Sequence, residues 1–370
     1  MALKVGVVAE NIVRRDGQGR VALEVCRALV SRGHRVQAYC SNLAEELQGR
    51  VEWQKVSSGQ GPQLLKSILF AYRGRRAVEK EEPDLILTFG ACVIASRTTT
   101  VYLCAFTQAE WQRSRVASKP RLHQRLHNRW VMGRESKGLR AARKVIVLSK
   151  RSIEEVLPMV GSRAKVELTH GAVDFAEYEQ VAQTRRQVRE QLGLDASFVI
   201  AIIGEYATGR KGLDALAAAV AGVRDESILV HGHGDESATM AKLEKIGARV
   251  VFADPAVPVA TVLGASDLVA IPSLYETFSL VALEAAAAGC PVVISSVAGA
   301  AEHLGPADAA IVIPPNDPAS LRRAIDSVRN STDRGHAMAM RAQDVARKLT
   351  CDSASQKVVD VIERAAAADL

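Results

Sequence analysis

The sequence predicts an α/β protein built from two doubly wound parallel sheets. Length is the first indication, because 370 residues exceed the ~250–300 that a single hydrophobic core usually serves. The second is that short apolar runs alternate with helical stretches in two successive series, the pattern of parallel strands joined by crossover helices. The third is a polar, charge-rich stretch from Asp174 to Asp195 that reads as the linker between the two series.

In the first series, Leu3 to Ala9 is an apolar strand and Val21 to Val30 a helix that stops at Arg32-Gly33. Arg35 to Cys40 reads as the next strand, Leu64 to Lys80 as a helix, and Asp84 to Phe89 and Thr100 to Ala105 as strands. A basic helix and a strand at Lys144 to Leu148 complete the series. The second series has strands at Phe198 to Ile203, Ser227 to Val230, Ala248 to Phe252, Leu268 to Ile271, Pro291 to Ile294 and Ala310 to Ile313. Pro314-Pro315-Asn316-Asp317-Pro318 ends that sheet, and helical patterns run on from Ala319. The expected domains are two Rossmann-like units, 1–172 and 190–350, facing an interdomain cleft, with ligands held outside the C-terminal ends of the strands.

Nearly half of the residues are apolar (48%), so each unit can bury a core. Six cysteines lie scattered without a C-x-x-C pair, several inside apolar runs, which argues for reduced thiols in the cytosol. No stretch approaches the ~20 apolar residues of a membrane span, and Met-Ala-Leu-Lys leads into a strand without a secretory pattern, so a cytoplasmic protein is expected. The net charge is +7, yet between Gln112 and Val145 eleven Lys and Arg face Glu135 alone. Leu122, Leu126 and Trp130 recur every four residues there, giving helix 113–144 an apolar stripe among arginines. Such a helix suits an anionic surface, either the inner face of a membrane or a phosphorylated acceptor. Aromatic content of 4% and the lack of any nucleic-acid-binding pattern argue against nucleic acid.

The most informative segment is Tyr275-Glu276-Thr277-Phe278-Ser279-Leu280, which leads through Glu284 to Gly289-Cys290-Pro291-Val292. Leu280 to Ala288 has strong helix formers, Gly289 and Pro291 stop them, and a buried strand follows. The helix begins near residues 277 to 279, where free N–H groups and the positive dipole end make a phosphate cradle of Thr277, Phe278, Ser279 and Leu280. A carboxylate just before such a cradle calls for hydroxyls beside the phosphate, so Glu276 points to a sugar. Glu284, about two turns on, can accept from a second hydroxylated ring.

This Glu-x7-Glu segment running into Ala-Gly-Cys-Pro-Val-Val resembles the donor site of GT-B retaining glycosyltransferases of the family 4 type. The resemblance implies that Glu276 contacts the transferred sugar, Glu284 the ribose, and the amides of Phe278 to Leu280 the distal phosphate. It also implies donor binding on the C-terminal unit, acceptor binding on the N-terminal one, and a last helix, 352–370, that packs back on the first unit. Gly204-Glu205-Tyr206-Ala207-Thr208-Gly209-Arg210-Lys211-Gly212 follows a strand and opens a helix. Arg210 and Lys211 are placed to neutralise a departing diphosphate, and the arrangement is similar to the Gly-Arg-Lys-Gly variant of lipopolysaccharide-core glucosyltransferases. Many family members carry the arginine earlier, where this chain has Glu205.

Asp16-Gly17-Gln18-Gly19-Arg20-Val21-Ala22 contains G-x-G-x-x-A, but six residues separate it from the strand and no acid closes the second strand, so a dinucleotide site is disfavoured. The loop matches the family's glycine-rich first loop instead, with Gly17 and Gly19 the candidates for approach to the donor and Arg20 behind them. Where many relatives have a histidine after the strand ending at Ala105, this chain has Phe106-Thr107-Gln108-Ala109-Glu110, making Thr107, Gln108 and Glu110 substitutes for a sugar or acceptor contact. His170 reads as a structural hinge residue. His231 and His233 lack a third metal ligand at useful spacing. No Asp-x-Asp occurs, which fits metal-independent transfer without a cofactor.

The expected activity is transfer of a hexose from a nucleotide sugar, UDP-linked in preference to GDP-linked, to a hydroxyl of a glycan or glycolipid. The rival readings are a GT-B epimerase or phosphorylase, and a non-catalytic nucleotide-sugar-binding or membrane-docking protein on the same scaffold.

Overall fold

The computed structural model describes residues 2–14, 16–90, 98–114, 122–179, 185–194, 198–206, 209–223, 225–244, 247 and 249–368. Arg115, Lys119 and Arg121 of the basic segment lie outside these, as do Cys92, Ala207 and Thr208. The chain divides into two compact units, Met1–His170 with Cys351–Leu370, and Gly171–Thr350.

The first unit begins with β1 (Lys4–Val8), β2 (Asn11–Ile12), α1 (Gly17–Ser31), β3 (Arg35–Cys40), β4 (Asn42–Leu43) and β5 (Glu52–Lys55). It continues with α2 (Gln63–Glu81), β6 (Leu85–Phe89), β7 (Thr99–Cys104), α3 (Gln108–Ser114), α4 (Leu122–Ala141), β8 (Lys144–Val147), α5 (Lys150–Val160) and β9 (Val166–Leu168). Seven of these strands form one sheet in the order β5-β3-β1-β6-β7-β8-β9, every neighbouring pair parallel. Both faces of its centre are covered, which is why β6, Leu-Ile-Leu-Thr-Phe, is buried throughout. β2 and β4 make a separate two-residue parallel pair.

The second unit contains α6 (Arg185–Leu192), β10 (Phe198–Ile203), α7 (Leu213–Val220), β11 (Glu226–His231), α8 (Glu236–Glu244), β12 (Val250–Phe252), α9 (Val259–Ala265) and β13 (Leu268–Ile271). After these come α10 (Leu280–Ala287), β14 (Val292–Ser295), α11 (Ala301–Leu304), β15 (Ile311–Ile313), α12 (Pro318–Arg329) and α13 (Thr332–Lys348). Its sheet runs β12-β11-β10-β13-β14-β15, the doubly wound order in which the winding reverses between the first and fourth strands. Ile200, Leu216, Val230 and Ile325 share its core.

The final helix, α14 (Cys351–Ala367), belongs to the first unit, where it packs on α1. It buries Val358, Val359 and Ile362. Arg32 bonds Asp360 at 3.1 Å and Glu363 at 2.5 Å, and His34 Nε2 lies 3.0 Å from the same Glu363.

Three expectations need adjustment. The polar stretch 174–195 is not a free linker, since its described residues belong to the second unit: Arg185 and Arg189 both pair with Asp267, and Val188 is buried. Its charges mislead because they are spent on internal ion pairs. The first helix starts at Gly17 rather than Val21, because Asp16 caps it by accepting from Gln18 N–H at 3.1 Å. The basic segment 113–144 is not helical to its end, since α4 stops at Ala141 and Lys144 begins β8, while residues 115–121 lie outside the described ones. No described helix is long and apolar enough to cross a membrane.

Candidate active site

The second sheet's reversal point brings together the loops after β10 and β13, and both are shaped by residues that accept close backbone approach. Gly204 follows β10 with φ +125, and a Cβ there would meet the Lys211 side chain at 2.9 Å. A Cβ on Gly212 would run into the Pro272 carbonyl. Leu274 N–H donates to Arg210 O at 2.9 Å, locking one loop to the other. The loop after β11 joins them, since Tyr206 N–H donates to His233 O at 3.1 Å and Gly234 leaves room for the Tyr206 ring.

These contacts deliver Arg210 and Lys211 to Glu276. Lys211 Nζ lies 2.5 Å and Arg210 Nη1 3.3 Å from the same oxygen, Oε2. Arg210 also donates to the Tyr275 carbonyl at 3.3 Å. Glu276 is 8% exposed. Burial pushes its carboxyl up, but the Lys211 and Arg210 cations outweigh burial and hold it below the usual carboxylate range. Two cations thus converge on one carboxylate oxygen. A buried ion pair is weak evidence of stabilisation, because desolvation offsets much of the attraction, so this cluster is better explained by what it can bind.

The backbone after Glu276 is pinned. Glu276 pairs in a parallel bridge with Ala298, and Ala300 N–H donates to Phe278 O at 2.8 Å. The chain then turns through Ser279, a non-glycine residue at φ +81, ψ 86, into α10. No side chain caps that helix, so its first amides are turned outward with their dipole. Thr277, Phe278 and Ser279 are all buried. The hydroxyls of Ser273 and Ser279 are buried without a hydrogen-bond partner among the described residues, polar groups a phosphate could satisfy. Glu284 sits on the second turn of α10 and is 6% exposed, so neither acid of the pair is a solvated surface charge. Gly289 ends the helix at φ +67.

His231 Nε2 lies 2.9 Å from the Val257 carbonyl, and burial lowers its pKa, so this ring is a neutral tie between β11 and the loop after β12. Among the described residues no three His, Cys, Asp or Glu side chains gather as a metal site. Sequence reasoning did not pick out Ser273, although Pro272-Ser273 directly follows β13.

The candidates in the first unit are arranged differently. Gly17 and Gly19 lie in the first turn of α1, not in an open loop. A Cβ on Gly19 would press on the carbonyls of Asn11 and Val13 at 3.0 Å, so its small size serves helix packing. Arg20 Nε donates to Arg14 O at 3.3 Å. Thr107 is buried beside Cys104, with Sγ and Oγ1 3.6 Å apart. Gln108 bonds Asn128 at 3.1 Å, and Glu110 pairs with Arg113. The backbone amides of Gln108 and Ala109, at the start of α3, donate to the carboxylate of Glu135, which is 2% exposed. Sequence reasoning counted Glu135 only as the lone acid of a basic run.

Comparison with known proteins agrees with this anatomy. A family profile described as glycosyl transferases group 1 matches residues 197–330, and one described as glycosyltransferase family 4 matches residues 15–177. A D-inositol 3-phosphate glycosyltransferase of Streptomyces avermitilis is 28% identical over 242 residues, 60% of this chain and 51% of that protein. The matched stretches span from a quarter to about three fifths of the curated relatives' lengths. WaaG, a glycosyltransferase involved in lipopolysaccharide biosynthesis, superposes with a TM-score of 0.80 at 21% identity, over 97% of this chain and 99% of that one. HepE from Anabaena, solved with UDP and glucose, gives 0.76 at 19% identity, over 98% and 100%. The two profiles take in a large part of each unit, and the fold of both is that of these structures: the chain belongs to the GT-B glycosyltransferases of the group 1 and family 4 type.

Proposed function

We propose that this chain is a retaining, metal-independent hexosyltransferase that uses a UDP-sugar. The observation that carries the reading is the Glu276 carboxylate held between Arg210 and Lys211, one loop away from the uncapped start of α10. The donor diphosphate would lie against the outward amides of residues 278–280 with the Ser279 hydroxyl beside them. Lys211 and Arg210 would meet the charge that develops on the diphosphate as the sugar departs. Glu276 would accept from sugar hydroxyls and Glu284 from the ribose. The leaving phosphate would take the acceptor proton on the face it vacates, so the protein mainly positions and stabilises charge.

UDP is favoured as the nucleotide because HepE, of like fold, is solved with UDP-glucose. The acceptor is read as a hydroxyl of a glycan or glycolipid, bound by the first unit and presented at the inner face of an anionic membrane through the basic segment 113–144. Thr107, Gln108 and Glu110 remain that unit's candidate contacts, and Gly17 and Gly19 its candidates for approach to the donor.

The test is turnover of UDP-hexoses, with the anomeric configuration of the product read by NMR. Lys211→Ala is expected to lower kcat by roughly 10²–10³, and Glu276→Ala to impair transfer while UDP still binds. Unchanged turnover in both variants would overturn the assignment.

A further inference from the structure

Gly171 opens the second unit, directly after the chain leaves the first at His170. A Cβ on it would lie 2.2 Å from Phe278 Cδ1, 2.6 Å from Cε1 and 2.8 Å from Cγ, whereas nonbonded carbon atoms rest ~3.5–4.0 Å apart. Gly171 is not among the glycines with positive φ, so what glycine supplies here is space rather than backbone freedom. That space is filled by the ring of a residue whose own backbone leads into the start of α10.

Both sides of this contact are pinned. Phe278 is 1% exposed, its ring packs on the His303 ring with centroids 6.2 Å apart, and its carbonyl accepts from Ala300 N–H at 2.8 Å. Two residues after Gly171, Val173 N–H donates to Leu349 O at 2.9 Å and Val173 pairs in parallel with Thr350. The Arg347 guanidinium then lies 4.5 Å from the centre of the Phe175 ring. Ser279, next after Phe278, stands at φ +81. A serine keeps such a backbone only where its surroundings over-determine it. The Phe278 ring seated against Gly171 is one such constraint, placed directly before the amides of Ser279 and Leu280.

We infer that Gly171 is a positioning residue for the donor: by admitting the Phe278 ring it fixes the direction of the Ser279 and Leu280 amides, which hold the distal phosphate. The inference rests on the donor reading above and adds to it a residue outside the cradle, one that sequence reasoning passed over in favour of its neighbour His170. A side chain at 171 would push the ring by about 1 Å, the scale on which a misplaced binding group loses function. The cost should fall on the distal phosphate and spare the nucleoside, because Glu284, read as the ribose acceptor, sits on the second turn of α10, beyond the displaced amides.

The experiment is titration calorimetry of the full chain with UDP and with UMP, which lacks the distal phosphate. The parent is expected to bind UDP the more tightly. Gly171→Ala should weaken UDP on the order of tenfold, the worth of one hydrogen bond to a charged group, and leave UMP unchanged, whereas a general loosening of the fold would weaken both alike. Phe278→Ala removes all three atoms that the new methyl would meet. It should itself narrow the preference for UDP, and Gly171→Ala added to it should have no further effect. Four results would overturn the inference: UDP affinity untouched by Gly171→Ala, equal weakening of UDP and UMP, the same loss with and without the Phe278 ring, or a Gly171→Ala chain that fails to fold and is not rescued by Phe278→Ala. A parent that prefers UDP while Gly171→Ala leaves that preference intact sinks this inference alone. A parent without the preference sinks the donor reading along with it.

Discussion

Glu276 in the second unit and Glu135 in the first are both buried, yet their carboxyls shift in opposite directions. Glu276 is 8% exposed and Glu135 is 2% exposed, so desolvation favours the neutral acid at both. At Glu276 the Lys211 and Arg210 cations overcome it, and the carboxyl falls below its ordinary range. At Glu135 the counterweight is two backbone amides, opposed further by the nearby Glu110 and Glu155 charges, and the carboxyl is pushed up to about 7. What a buried acid does is therefore decided by its partner. Cations make Glu276 a permanent anion that can hold hydroxyls, while amides leave Glu135 poised to exchange a proton near neutrality.

The largest break in that contrast is to remove the cations. Arg210→Ala with Lys211→Ala would make Glu276 resemble Glu135 and cost about 3–5 kcal/mol at neutral pH by stranding a buried charge, read by urea unfolding. Its pH response should also change sign. In the parent, the depressed carboxyl of Glu276 contributes stability that is present above the free-acid range and lost as pH falls through its folded pKa. In the double variant, stability should instead fall as pH rises.

A smaller effect is expected in the first unit. Glu135 binds its proton at about 7 in the folded chain against 4.5 for a free carboxyl. Between those values the folded state holds more protons than the unfolded, so stability is full below the window and is lost as pH rises through about 7. Glu135→Gln keeps an acceptor for the α3 amides, should remove this slope, and should stabilise at pH 8 by on the order of 1–3 kcal/mol, seen in chemical unfolding across pH. Smallest of all, Glu110→Gln removes a neighbouring negative charge. It should move the Glu135 transition slightly toward acid and change stability by only a few tenths of a kcal/mol, since Glu110 is partly exposed and paired with Arg113. A larger change would mean that Glu135 responds to charge more than to burial.

The sequence shows these two sites unequally, for a physical reason. The strands at the centre of each sheet are buried on both faces, so their continuous apolar runs are plain, and Gly289 with Pro291 marks the end of α10. Glu276 with Arg210 and Lys211 lies in loops at the ends of such strands, where glycines and charges are conspicuous. What escaped is what alternates or depends on distant partners. β5 is an edge strand of mixed exposure, Glu-Trp-Gln-Lys, and has no apolar run to betray it. Glu135 is bound to amides 27 residues earlier. Ser279 shows its unusual backbone only in three dimensions, because nothing local requires φ > 0 at a serine.

Because α14 completes the first unit, residues 171–350 are in effect inserted within it. During synthesis the polypeptide leaves the ribosome with the host domain begun first and closed last. The inserted domain can form its sheet while α1 still awaits Val358, Val359 and Ile362. The face of α1 that α14 covers is thus the last part of the first unit to receive its partner in synthesis.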